Sequence, residues 1–549
     1  MRPPEAAPAR AVEHLIVGAG VAGLTLRRFL ELEGVSDSVA IVDPRPGSYK
    51  VGESVIPELF AHPELAALLP GIRALPSYTA KQGTTFVMHG RDGAPELAYF
   101  PVGARQVGEA MHVARDELEA EMARAWTLDI DRAAVTAIDW QTKRVETTAG
   151  AYQVSGLIFD CSGPAMVVAK SRGEVDERLP AWATWGYYDV VAEEPAALDR
   201  TVREAGWSTL EYDVRHRKII STEGTAELAE RIARSTYLSL VGDGLWTWQI
   251  PLFRGTRMSY GVVSRHGPVS PEQYREVVEA TAAPHFQLRR RPEHGGSPYD
   301  RLHVRSGFAR RARTPADKDF ILIADAFGFS DPVYSVGTGL AVSQAIEVAR
   351  MLAAGGWTLE RCQAYCAHAS RMLDRAQRAF EFWYAGAVVR DDAVAEEIQR
   401  DFLQGGLFQA SVSEAYGTAL DLASLDSERD PFDPDWEVVE LLAPVTAFLE
   451  LPGEGGAALV GWELTSARPC AGGLQLRWAG HGEPDMTMLV QHDPEGAGRA
   501  YKRVGELGLS YMRGEVEGPL DTNALNALFA AMMVKLRGRE ADWLALGAG

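Results

Sequence analysis

"HLIVGAGVAGLTLRRFLELEGVSDSVAIVDP", residues 14–44, decides the fold of this chain. It reads as an apolar strand, a glycine turn, an amphipathic helix and a second apolar strand. Gly18 permits the tight turn, Gly20 lets the backbone approach a pyrophosphate, and Gly23 lets helix and strand pack closely. The start of the helix then turns free N–H groups and the positive end of its dipole toward the phosphates. Asp43 ends the second strand, where a carboxylate accepts hydrogen bonds from ribose hydroxyls. Strand, turn, helix and terminal acid agree, so the segment predicts a Rossmann-like α/β nucleotide-binding part. FAD and NAD both fit it.

A second segment narrows the choice. "KDFILIADAFGFSDPVYSVGTGLAVSQAIEVARML", residues 318–352, reads as a buried strand, an acid, a turn-rich loop and a long helix. Asp325 follows the strand. This is similar to the second segment of two-part flavin enzymes of the hydroxylase type, where an Asp at that place holds the ribityl chain. Pro332, Ser335, Gly337, Thr338 and Gly339 follow in the loop and helix start. Helix N–H groups around Val336 to Gly339 can face the flavin or a small anion. A bare strand–loop–helix connection is the plain alternative. "GLIFDCSGP", with Asp160 and Gly163, reads as a strand running into the same region. Arg115 stands at the start of a helix, facing either the cofactor or solvent.

The chain has 549 residues, 46% of them apolar and 24% charged, as expected of a soluble globular protein of more than one domain. Its net charge of −20 leaves no electrostatic route to nucleic acid or an anionic membrane. No apolar run has the length of a membrane span, and the start lacks the apolar core of a secretion signal. A cytoplasmic location and a short disordered lead are expected. Cys161, Cys362, Cys366 and Cys470 read as reduced, packed thiols, and no metal site is expected.

Another stretch has two readings on its own. In "LWTWQIP", Leu245 to Pro251, Trp246, Trp248 and Ile250 alternate and share one face of a strand. Such a stripe is either ordinary sheet material or the wall of a reaction chamber.

Taken together, the motifs resemble those of the FADH2-dependent halogenases. Gly18-Ala19-Gly20-Val21-Ala22-Gly23 is the nucleotide fingerprint. Trp246-Thr247-Trp248-Gln249-Ile250-Pro251 is similar to that family's WxWxIP pattern, and Phe329 to Gly337 to its FxxPxxSxG pattern. "VGESVIP", Val51 to Pro57, looks like the family's turn near the isoalloxazine and implies Glu53 and Ser54 as cofactor contacts. Lys81-Gln82-Gly83-Thr84-Thr85-Phe86 resembles the KxGxxF stretch of the phenol- and pyrrole-type members, which implies Lys81 as the catalytic lysine, with Lys50 its rival by proximity. Met88 stands where tryptophan is usual. Tyr334 stands where members acting on free tryptophan carry glutamate, which points away from that substrate.

The resemblance implies a mechanism. A flavin C4a-hydroperoxide and chloride or bromide give hypohalous acid, with the halide at the backbone of Val336 and Gly337. The oxidised halogen then passes by a tunnel to Lys81, which forms a haloamine or donates a hydrogen bond to it. Trp246, Trp248, Ile250, Pro251 and Ser335 are the expected barrier and tunnel. The base that takes the ring proton is open, with Glu53 and His112 as candidates. The expected function is halogenation of an electron-rich aromatic, free or tethered to a carrier protein, in secondary-metabolite or antibiotic biosynthesis. A flavin monooxygenase with halogenase-like motifs is the alternative. No NADPH fingerprint is seen, so a partner flavin reductase is expected to supply FADH2.

The expected fold is α/β: a Rossmann-like FAD-binding domain of the glutathione-reductase or hydroxylase type, in two or three layers, with an antiparallel substrate sheet and a mixed α+β C-terminal region. Residues 12–177 form its first FAD-binding segment and residues 178–300 the sheet. Residues 301–390 form the second FAD-binding segment with its helices. Residues 391–549 form a C-terminal region that covers the substrate mouth, docks a carrier or stabilises the core.

Overall fold

The computed structural model describes residues 9–35, 38–55, 60, 62–89, 95–101, 110–177, 180–204, 208–213, 218–221, 226–242, 244–291, 296–329, 331–333, 335, 337–367, 369–370, 373, 447–451, 458–470, 473–481 and 486–491. The chain divides into two compact units. The first comprises residues 1–209, 222–380 and 416–427, and the second residues 210–221, 381–415 and 428–549.

In the first unit, strands Phe320–Leu322, Ile158–Asp160, His14–Val17 and Val39–Val42 lie side by side in that order, all parallel. Leu15, Ile16, Ile158, Phe320 and Ile321 are wholly buried, as a parallel sheet covered on both faces requires. Helix Val21–Leu32 follows the glycine turn and packs against helix Gly337–Ala353. The α/β part thus draws its strands from residues 14–42, 158–160 and 320–322.

A second, larger sheet holds strands Pro95–Pro101, Gly83–His89, Thr236–Gly242, Leu245–Leu252, Arg257–Ser264, Trp182–Glu193 and Phe286–Arg290 in that order, with His303–Ser306 also on Trp182–Glu193. It differs from the expected sheet of residues 178–300. Two strands come from the first segment, and Gly83–His89 pairs with Thr236–Gly242 in parallel.

The period-2 rule sorts the residues of this sheet. Tyr188, Tyr260, Val262 and Met258 face an apolar cluster with Tyr274 and Val278 of helix Pro271–Thr281. The other face carries Trp185, Tyr187, Trp246, Trp248 and Ser259. Trp248 lies across its register partner Gly261, where an added Cβ would sit 2.0 Å from the indole. Gln249, on the first face, locks the end of helix Pro271–Thr281 by donating to the Thr281 carbonyl at 3.0 Å and accepting from Ala283 N–H at 2.9 Å.

A third, small sheet positions the site. Strand Met111–His112 runs between Ser54–Val55 and Thr79–Ala80, with His112 opposite both Ser54 and Thr79. Among the described residues no helix is long and apolar enough to cross a membrane.

The second unit contains, among the described residues, the hairpin partners of residues 210–221 and an antiparallel meander of Ala447–Leu451, Ala458–Cys470, Gly473–His481 and Met486–Gln491. The sequence reading expected a few strands there. The helix expected near residues 391–402, the acidic linker near 425–437 and the capped helix near 521–538 lie outside the described residues.

Two stability tests follow from this packing. Gly261→Ala forces Trp248 to move and is expected to cost about 1–3 kcal/mol in denaturant unfolding; an unchanged midpoint would contradict the close ring–backbone contact. His285 packs on Phe286 and Tyr237, and burial holds its pKa down at about 3. The unfolded chain binds that proton near pH 6.5, so the stability this neutral ring contributes is present above about pH 6.5 and is lost as pH falls toward 3. His285→Phe should flatten the acid limb of the stability curve by nearly one proton. An unchanged slope in urea unfolding across that range would count against it.

Candidate active site

The glycine turn leaves no room for side chains. Gly18 has φ +106°, and a Cβ there would lie 2.4 Å from the Cys161 carbonyl oxygen. A Cβ on Gly23 would lie 2.0 Å from the Gly18 carbonyl oxygen. Gly20 caps helix Val21–Leu32 without a side-chain hydrogen bond, and no acid occupies the first turn, so the end N–H groups stay available to an anion. Asp43 accepts from Ala19 N–H at 2.8 Å and Arg45 N–H at 2.7 Å, tying the turn to the second strand.

Three other elements converge on this turn. Glu119 is buried and takes Arg115 at 3.0 Å and Lys50 through its other oxygen. A Cβ on Gly20 would lie 3.5 Å from Glu119, and one on Gly52 would lie 3.1 Å from Arg115 Nη1. The Nε of Arg115 is buried with no hydrogen-bond partner. Burial pushes the Asp325 carboxyl up to about 6, against the pull of Arg115 and Arg305. A Cβ on Gly337 would lie 3.9 Å from its Oδ1. The fingerprint, the Gly52 turn, the Arg115 helix and the Asp325 loop thus share one place.

Some predicted site residues do local work. Asp160 is buried, is pushed up to about 6 by burial, and accepts from Ser162 N–H at 3.0 Å and Val168 N–H at 2.7 Å. Ser335 takes φ +61° and its N–H reaches the Pro332 carbonyl at 3.1 Å, closing a strained turn before the helix. Gly337 opens that helix and Thr338 is buried in it. Tyr334 and Val336 lie outside the described residues, as does the side chain of Met88.

Glu53 and Ser54 are neighbours serving opposite sides. Glu53 is buried and its carboxyl is raised by burial. Tyr187 O–H donates to it at 2.6 Å and Ser259 Oγ at 3.4 Å, and Trp248 Nε1 reaches Ser259 Oγ at 3.3 Å. Behind Tyr187, its hydroxyl meets that of Tyr49 at 2.7 Å, and Trp185 Nε1 donates to Tyr49 at 2.7 Å. Trp246, Trp248 and Trp185 form a continuous wall, with ring centroids 5.9 and 6.5 Å apart. Ile250 and Pro251 are buried beyond it on the same strand.

Ser54 serves the lysine. Lys81 is only 5% exposed and sits between strands Thr79–Ala80 and Gly83–His89 rather than on one. Its Nζ donates to Ser54 Oγ at 3.0 Å. Ser54 Oγ meets Thr236 Oγ1 at 2.9 Å, and Thr236 Oγ1 meets His112 Nε2 at 2.9 Å. Burial, then the charge of Lys81, holds the His112 pKa well below the usual imidazole range. The Pro251 backbone opposes that shift, and His112 Nδ1 is buried with no hydrogen-bond partner. Lys50 lies on the other side, against Glu119. Tyr49, Trp185, Tyr187, Thr236 and Ser259 were not read from the sequence. The alternating aromatics of "WATWGYYDVV" were the available signal.

Tyr187→Phe leaves Glu53 short of its strongest donor in a buried place and is expected to cost about 1–3 kcal/mol. Urea unfolding at neutral pH measures it, and a stability equal to wild type would refute the Tyr187–Glu53 bond.

Comparison with known proteins bears on this arrangement. The tryptophan halogenase family model matches residues 232–398, which hold both Trp246–Pro251 and Phe329–Gly337. No curated protein sequence matches the chain. Of solved structures, halogenase PltM is 17% identical over 78% of this chain and 89% of its own, with a TM-score of 0.55. The myxobacterial chondrochloren halogenase CndH, described as a new variant of FAD-dependent halogenases, is 18% identical over 76% and 97%, with a TM-score of 0.52. The flavin-dependent brominase Bmp2 is 15% identical over 76% and 94%, with a TM-score of 0.52. The chain is similar to flavin-dependent halogenases in its motifs and, over about three quarters of its length, has their fold.

Proposed function

We propose that this protein is an FADH2-dependent halogenase acting on an electron-rich aromatic ring of the phenol or pyrrole kind. One observation carries the reading: Lys81 is buried and hydrogen-bonded to the serine of the VGES turn, while the glutamate beside that serine is linked through Ser259 to Trp248 of the WxWxIP strand. Three motifs that are far apart in sequence thereby meet at the Glu53-Ser54 turn, Lys81 on one side of it and Trp248 on the other.

The residues fit a flavin dinucleotide. The Gly18 turn and the uncapped helix start suit the pyrophosphate, and Asp43 keeps acceptor capacity for a ribose. The buried, unpartnered Nε of Arg115 and the carboxyl of Asp325 suit the polar middle of the molecule. When bound and reduced, the flavin supplies with O2 the oxidising equivalents that turn halide into hypohalous acid. The Gly337 N–H and its neighbour Val336 are the proposed halide contacts.

The protein's own part is exclusion, transfer and orientation. The indoles of Trp246 and Trp248 fill the space an organic ring would need to approach the cofactor. Lys81 takes the oxidised halogen and presents it to the ring, as a haloamine or through a hydrogen bond. Tyr334 in place of glutamate suits a ring activated enough to lose its proton unaided. The neighbour PltM is described in complex with phloroglucinol and FAD, which suits a phenolic substrate here. FADH2 is expected from a separate reductase, and a ring tethered to a carrier protein stays within the proposal.

The test is an incubation with FADH2, O2 and bromide and a phenol panel, read by isotope pattern in mass spectrometry. Brominated product is expected. Oxygenated product alone would favour a monooxygenase, and turnover with NADPH and no reductase would remove the separate-reductase claim. Lys81→Ala should slow ring bromination by roughly a hundredfold or more; an undiminished rate would overturn the role of Lys81.

A further inference from the structure

We propose that Arg305 and Arg310, with Lys170 near them, form a cationic entry site that captures halide and passes it to the Gly337 region. The inference rests on the halogenase reading and deepens it by assigning the side chains that admit the halide.

A halide needs help to reach Gly337. The chain carries a net charge of −20, so its surface as a whole repels anions. Closer in, Asp325 Oδ1 lies 3.9 Å from the place a Cβ on Gly337 would take. A carboxylate is the wrong neighbour for chloride or bromide. Arg115 and Arg305 are the cations that pull on it. Arg115 is committed to Glu119 at 3.0 Å, and Arg305 has no such commitment among the described residues.

The fold brings cations to this place from three elements. Residues 301–313 hold five arginines and no acid. Arg305 stands on strand His303–Ser306 opposite Ala183, and His303 stands opposite Trp185. His303 stacks on Trp185 with ring centroids 5.1 Å apart, so Arg305, two residues on, shares the sheet face of the tryptophan wall. Arg310 opens strand Arg310–Ala312 and stands opposite Phe329. The Phe329 ring lies 3.5 Å from the place of a Cβ on Gly337, and register partners share a face. Lys170, in helix Val167–Ser171, is within electrostatic reach of both arginines.

These three charges lack counter-charges in contact. Arg305 and Lys170 are exposed and Arg310 is half-buried. Among the described residues none of them makes an ion pair or a hydrogen bond. Their neighbours in the segment are engaged: Arg313 grips Asp176 at 2.9 Å, and Arg311 lies over the Phe327 ring. Partial burial lowers the Arg305 pKa; Asp325 opposes the shift and Arg310 adds to it. A halide among such cations relieves their mutual repulsion. The flavin's phosphates are provided for at the Gly18 turn and the helix start that follows it, so these cations are not needed to hold the cofactor.

Chloride and bromide are the probes. In cofactor-free protein, combining Arg305→Gln with Arg310→Gln should reduce the broadening that the protein imposes on the chloride NMR line. In turnover at low ionic strength, the same double variant should raise the bromide KM roughly tenfold, with kcat at saturating bromide unchanged. Arg305→Lys should stay close to wild type, because charge is what acts. Raising ionic strength with a halide-free salt should bring the wild-type KM toward that of the double variant. FAD affinity, read by flavin fluorescence, should not change. An unchanged line width and an unchanged bromide KM in the double variant would overturn the entry site, as would weakened FAD binding with the bromide KM unaltered. A wild-type enzyme that halogenates no ring fails the parent reading instead, and the chloride line still decides the entry site.

Discussion

The hydrogen bond from Lys81 to Ser54 is the constraint around which the site is organised. An amine taken out of water costs several kcal/mol unless its donors are satisfied. Ser54 meets part of that need because strand Met111–His112 pairs with Ser54–Val55 on one side and Thr79–Ala80 on the other. A slip of one residue would exchange Ser54 for Glu53 toward the lysine. The lysine would then meet a carboxylate, and the two would form an ion pair of low reactivity.

The same register separates two polar systems. On one side, Glu53 is held among tyrosine hydroxyls and the serine under Trp248. On the other, Ser54 leads through Thr236 to His112. Between the strands the indoles of Trp246, Trp248 and Trp185 form a dry wall. Polar groups in such a place need partners, and the hydroxyls of Tyr187, Tyr49 and Ser259 supply them to Glu53 and to the indole N–H groups of Trp185 and Trp248.

Much of the fold was legible in the sequence because it rests on local chemistry. Gly18 and Gly23 announce a turn in which a Cβ cannot fit, and the structure has carbonyl oxygens where those atoms would go. Trp246, Trp248 and Ile250 announce a strand by period alone. The partners of the site were not legible. Thr236 and His112 come to Lys81 through a parallel pairing and a three-stranded sheet whose register no short window encodes. Asp160 illustrates the converse: the motif suggested a cofactor contact, and its carboxylate is also taken up by two backbone N–H groups. The sheet itself recruited Gly83–His89 and Pro95–Pro101 from the first segment, since closing a large sheet depends on long-range pairing rather than on local pattern.

The central claim is that oxidised halogen travels to the ring through the protein, by way of Lys81, and not through bulk water. The most direct measurement is the yield of halogenated ring in a single turnover with and without a large excess of methionine, which consumes free hypohalite. The account predicts the same yield in both. A yield that falls in step with added methionine would contradict it.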